Sequence, residues 1–259
     1  MNRDLLRQII VVLSVIGTIT VNILANALPF NGLATGEISD QFKVFFVPAG
    51  YVFAIWGLIY IGMLAFAAYQ ALPAQRENPY LRKAGYWFAL SGVFNSAWLF
   101  LWHYQIFPLT IVIMLGLLVT LLVCYLQLEI GQRQVSAAEK WSLHLPISTY
   151  LGWISVATIA NAADVLDYLK WNAWGVAPET WTVIMLAAAL VLGLAMIFTR
   201  HEIAYPGVLI WAIIGIALKQ AAAPLVANAA WVIVGLLVLG LIVKTATGLH
   251  RPLPAKAGR

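Results

Sequence analysis

The chain has 259 residues, 63% of them hydrophobic and only 10% charged, with a mean hydropathy of +0.89 and a formal net charge of +5. A soluble domain carries roughly 25% charged residues, so the composition excludes one and indicates an all-α, polytopic transmembrane helix bundle. The basic residues lie between apolar spans instead of forming a patch or tail, which argues against nucleic acid as a partner and makes their placement topological. The single cysteine, Cys124, sits in an apolar run, so there is neither a disulfide framework nor a thiolate metal site.

In chain order, about eight segments approach the ~20 residues that a hydrocarbon core requires. They cover 5–28, 49–72, 83–104, 108–129, 140–168, 179–199, 204–222 and 225–247. With the N-terminus cytoplasmic, twelve of the 15 basic residues, from Arg3 and Arg7 to Lys256 and Arg259, fall inside, and Lys43, Lys170 and Lys219 fall outside. That asymmetry favours a multi-pass protein of a bacterial-type inner or plasma membrane with both termini cytoplasmic. Fusing the two segments around Pro224 would give seven spans and move the basic tail outside, against the same rule. Arg3 and Arg7 before an apolar run that ends in Ala25-Asn26-Ala27 imitate a signal peptide; the run is nevertheless long enough to span, and the charge alternation works with it retained.

The connection from Pro29 to Pro48 is long and polar at its centre. Phe42, Phe45, Phe46 and Val47 indicate a loop that packs back on the outer mouth, since a solvated linker would gain nothing from them. In the second span Trp56, Tyr60 and Met63 share one face, and in the third Ser91, Asn95, Trp98 and Trp102 do. The fifth span carries Tyr150, Trp153, Ala157 and Asn161 at helical spacing. An Asn inside hydrocarbon is costly unless another helix or a ligand satisfies it, so that stripe should face inward. At ~1.5 Å of rise per residue, Trp56, Trp98 and Asn161 all lie roughly 9–11 Å below the outer surface, with Asn95, Tyr60 and Ala157 about a turn deeper. Three helices would thus offer indoles and carboxamides to one space in the outer half of the bilayer, the composition of a pocket for a flat, largely apolar molecule.

These residues carry a resemblance. Trp56-x-x-x-Tyr60 after Pro48, Asn95-x-x-Trp98, and Tyr150-x-x-Trp153-x-x-x-Ala157-x-x-x-Asn161 resemble the signature of the tryptophan-rich sensory protein / translocator protein (TspO/MBR) family. The resemblance covers residues ~5–168 and implies a five-helix membrane fold that binds porphyrins, haem-like tetrapyrroles, sterols or benzodiazepine-type ligands, with the 29–48 loop closing over the pocket. It also implies a homodimer. The second Pro expected at the start of the second span is Ala49, the following Trp is Tyr51, the interval from Phe53 to Trp56 is one residue short, and the Pro expected beside Tyr150 is Thr149. The last three spans have no counterpart in the five-helix core. The expected organisation is therefore a core over 1–170 and an added unit over 171–259 of three helices and a short basic tail.

In that added unit, Ala187, Ala188, Ala189, Gly193, Gly235 and Gly240 suggest close helix packing. Lys219 and Gln220 sit near an outer helix end, where snorkelling to the interface accounts for the lysine. Trp171, Trp174 and Trp181 read as an interfacial aromatic belt. Asp164 and Asp167 near the outer end of the fifth span read as solvated helix-end acids, with a role at the mouth as the alternative. His103 and His144 lie at opposite ends of their spans and do not form a metal pair. No zincin, nucleophile-elbow or phosphate-loop motif is present, and there is no internal repeat of the transporter kind.

Three functions remain open. The first is a sensory or regulatory membrane protein in which Trp56, Trp98 and Trp153 stack a ligand, Tyr60 lines its site, Asn95, Tyr150 and Asn161 orient it, and Ala157 leaves room. The second is a transporter for such amphiphiles, for which the extra spans argue. The third, weighed below both, is an intramembrane enzyme that modifies a pigment or lipid. No cofactor is required; a bound tetrapyrrole, porphyrin or haem, would be the ligand. The expected partners are the lipid bilayer and that small hydrophobic molecule.

Overall fold

The computed structural model describes residues 2–28 and 30–247; Pro29 and the tail residues Arg251, Lys256 and Arg259, which enter the charge count, lie outside them. Eight long helices run α1 (Arg3–Ala27), α2 (Ile55–Ala71), α3 (Pro79–His103), α4 (Phe107–Gln127), α5 (Leu145–Tyr168), α6 (Pro178–Thr199), α7 (Ala204–Lys219) and α8 (Pro224–Ala246), and no strand occurs among the described residues. Six of the helical segments are long and apolar enough to cross a membrane. α3 has the length but is diluted by its Asn, Ser and Trp residues, and α7 has only 16 residues.

The boundaries follow from local chemistry. α3 starts four residues earlier than the hydropathy suggests, because Asn78 caps the helix by accepting hydrogen bonds from the Tyr80 and Leu81 amides and Pro79 occupies its first position. The second span opens with a 3₁₀ segment, Gly50–Ala54, before α2 begins. A π-helical turn, Lys140–His144, precedes α5. α7 stops at Lys219, short of the 222 expected, because the chain turns before Pro224 starts α8.

α3 packs between α1 and α4, α5 packs against α4, α2 and α7, and α6, α7 and α8 pack on one another. Small residues permit the closest approaches. A side chain at Gly92 would meet Ser14 Oγ and Thr18 Oγ1 of α1 at about 2.5 Å, and one at Gly152 would meet the Tyr205 carbonyl of α7 at 3.1 Å. Of the small residues expected to mediate packing near the C-terminus, Ala189, Gly193 and Gly240 are buried between α6 and α8. Ala187, Ala188 and Gly235 face outward instead, because they fall on the opposite sides of their helices.

Candidate functional site: an aromatic cavity beneath the first loop

Side chains from α1 to α5, the first loop and the end of α7 enclose a cavity of about 1010 Å³. Six of the eight residues singled out from the sequence line it: Trp56, Tyr60, Asn95, Trp98, Trp153 and Ala157. Trp56 stacks on Tyr60 (ring centroids 5.6 Å apart), as their i, i+4 spacing on one helix dictates. It also meets the edges of Tyr150 (6.0 Å) and Trp153 (6.3 Å) on α5, so α2 and α5 present one continuous aromatic wall. Phe53, from the 3₁₀ turn, stands edge-on to Trp153 at 5.7 Å.

The other two residues are not in the lining. Tyr150 is buried, and its hydroxyl accepts a hydrogen bond from Asn95 Nδ2 (3.0 Å). Asn161 Oδ1 accepts from Trp98 Nε1 (3.2 Å), and its Nδ2 donates to Thr110 Oγ1 (2.9 Å) on α4. Both amide groups of Asn161 are thereby satisfied inside the protein, and its geometry fixes the Trp98 indole. Trp153 differs: its Nε1–H is buried without an acceptor among the described residues, while the ring lines the cavity.

The first helix also brings polar side chains to the cavity. Asn22 Nδ2 donates to Asn95 Oδ1 (2.7 Å), and Asn22 and Asn26 both line the cavity. The signal lay in the four-residue spacing of Ser14, Thr18, Asn22 and Asn26, each bonding toward the preceding turn or, for Ser14, to the Ala89 carbonyl of α3. Met114 and Leu117 of α4 complete the apolar floor, with no sequence signal beyond their helical period.

The loop over 30–48 packs back as its phenylalanines suggest. Phe46 is fully buried, and Phe42 packs on Trp102 (5.8 Å) and Phe107 (4.9 Å). Its first half is fixed to the end of α3: His103 Nε2 pairs with Thr35 Oγ1 (3.0 Å), and Trp102 Nε1 donates to the Thr35 carbonyl (3.1 Å). The second half is fixed by α7. Lys219 Nζ reaches Asp40 Oδ1 (3.1 Å), Gln220 Nε2 donates to the Phe45 carbonyl (3.1 Å), and Trp211 Nε1 donates to the Val52 carbonyl (3.0 Å). Lys219 thus meets the loop through an exposed ion pair at the helix end, in addition to reaching the interface. Thr35, Gly36, Ser39, Asp40, Val47 and Pro48 form the roof of the cavity.

Two departures from the TspO/MBR pattern lie where α7 docks. The Ala49 amide donates to the Gly215 carbonyl (3.1 Å), a bond that proline could not make, and Tyr51 stands edge-on to Trp211 at 5.3 Å. Asp164 also departs from expectation. It is buried and its Oδ1 has no partner among the described residues, because α5 is covered near its C-terminal end. Trp171, Trp174 and Trp181 form a cluster with centroids 5.2 to 5.8 Å apart.

No curated protein and no solved structure matches the chain. A family model described as TSPO-like protein matches residues 8–243, from the second turn of α1 to the last turn of α8. The match therefore takes in all eight helices, including every one that builds the aromatic cavity, and the chain belongs to the TSPO-like protein family.

Proposed function

We propose that the cavity binds a flat, hydrophobic ligand, a porphyrin-like tetrapyrrole or a sterol, and that the protein acts as a sensor or regulator in the membrane. The observation that carries this reading is the meeting of Trp56, Trp98 and Trp153 around one volume of about 1010 Å³, roofed by a loop anchored at both ends. Aromatic faces suit a planar ring system, the free Trp153 N–H suits a peripheral carboxylate or carbonyl, and Ala157 leaves space where a larger residue would intrude. The chain's resemblance to the TspO/MBR family, a fold that binds tetrapyrroles and sterols, supports the same ligand class. The excess of basic residues on one side supports cytoplasmic termini, which puts the roof of the cavity on the outer face.

Titration of the purified protein with protoporphyrin, followed by tryptophan fluorescence, tests the reading. Wild type should show saturable quenching. Trp56→Leu should weaken binding about three- to tenfold, the value of one aromatic contact. Ala157→Trp should abolish it by filling the cavity. Saturation curves unchanged by both substitutions would reject the site.

A further inference from the structure

α2 and α7 meet chiefly through the 50–54 turn, near their outer ends. Toward the face that carries the N-terminus they part, and α5 becomes the floor of an apolar groove of about 610 Å³. Leu58 and Ile61 form one wall, Val208 and Trp211 the other, and Pro146 and Thr149 the floor. Leu58 and Ile61 are exposed, so in a bilayer the groove opens on lipid. Along α2 it runs from Ile55 to Ala65, roughly 15 Å of helix at ~1.5 Å per residue, about half of a ~30 Å hydrocarbon core.

The inner end of this groove continues into a second, polar cavity of about 380 Å³, and Leu145 and Ala204 line both. Its lining includes Arg133, Lys140, His144 and Glu202. Arg133 is ion-paired with Glu139 and lies over the Tyr80 ring, whereas Lys140 is exposed and makes no ion pair among the described residues. His144 is buried, and its Nε2 has no hydrogen-bond partner among the described residues. Glu202 is the acidic residue in the lining, and burial raises its pKa from the ordinary carboxyl range. Lys244 adds a further cation close by, donating to the His201 carbonyl (2.6 Å).

An apolar channel about one leaflet long that ends in a polar cavity carrying the unpaired cation of Lys140 beside Arg133 matches an amphiphile with an anionic head. We propose that this composite groove binds one anionic phospholipid from the leaflet on the N-terminal side, its phosphate near Lys140, Arg133 and His144 and an acyl chain between α2 and α7. The site is separate from the aromatic cavity and does not depend on its ligand. A soluble phosphate ester would have no use for the groove, and a zwitterionic lipid would gain less from the cations.

Native mass spectrometry of the full-length protein, released from micelles containing equal phosphatidylglycerol and phosphatidylcholine, tests this. Wild type should retain one phospholipid, with phosphatidylglycerol preferred. Lys140→Gln should lower phosphatidylglycerol retention about fivefold, toward the phosphatidylcholine level, as loss of one headgroup cation predicts. At Gly207, in the groove lining, an added Cβ meets nothing within 4 Å, so Gly207→Leu should fit the fold and reduce retention of both lipids by occupying the groove. Glycerol phosphate should displace neither. Equal retention of the two lipids, retention unchanged in both variants, or displacement by glycerol phosphate would overturn the proposal. Should Gly207→Leu unfold, the headgroup preference in wild type and Lys140→Gln still decides.

Discussion

Asn95 joins three helices with one side chain, accepting from Asn22 on α1 and donating to Tyr150 on α5. Removing it leaves a buried donor and a buried hydroxyl without their partner, and hydrogen bonds between membrane helices contribute about 0.6–1.7 kcal/mol each. Asn95→Leu should therefore destabilise the protein by about 1–3 kcal/mol, seen as a lower unfolding midpoint in detergent. Trp153→Phe separates the two roles of the indole. It keeps the aromatic wall but removes the unpartnered N–H, so stability should hold while affinity for a carboxylate-bearing porphyrin falls about three- to tenfold, the net worth of one hydrogen bond. At this scale the sequence was informative wherever polarity was out of place in lipid. Asn95, Asn161 and Trp98 were legible for that reason, but which partner satisfies which amide was not. The pairing of Asn161 with Thr110, and of Asn95 with Asn22, depends on helix rotation that no spacing on a single helix specifies.

Among the elements, the first loop and α7 depend on each other. The loop's inward packing was readable from its four apolar residues, Phe42, Phe45, Phe46 and Val47. Its attachment to α7 was not, because contacts between residues some 170 positions apart leave no local pattern. Hindsight finds the trace in Ala49 and Tyr51, which depart from the family pattern where α7 lies against them. Gly215 is the tightest point: a Cβ there would fall 2.2 Å from Val52 and 3.2 Å from Pro48. Gly215→Leu should push the roof away from α7 and raise proteolysis within residues 30–48. Lys219→Gln should do much less, since the Lys219–Asp40 pair is exposed and such pairs contribute about 0–1 kcal/mol. Equal protease sensitivity of the Gly215 variant and wild type would show that α7 does not hold the loop.

For the whole molecule, eight helices in alternating directions put the 77–78 and 128–136 connections on one face with the N-terminus, and the 30–48 and 169–177 connections on the other. The eight helices were legible because each carries a long apolar run, although only six of the segments are long and apolar enough to cross a membrane. The shortness of α7 was less so, since hydropathy alone does not mark the turn before Pro224. Cys124 is buried, so single cysteines introduced elsewhere can be read against a silent background. Glu77→Cys and Gln134→Cys should react with a membrane-impermeant maleimide only in inside-out vesicles, and Glu37→Cys and Lys170→Cys only in right-side-out ones. The reverse pattern would place the roof of the cavity toward the cytoplasm. The most direct test of the central claim is an experimental structure of the protein saturated with protoporphyrin. The macrocycle should lie beneath the 30–48 loop, against Trp56, Trp98 and Trp153 and within reach of the Trp153 N–H. A macrocycle bound elsewhere, with the three indoles closed on one another and no space between them, would contradict it.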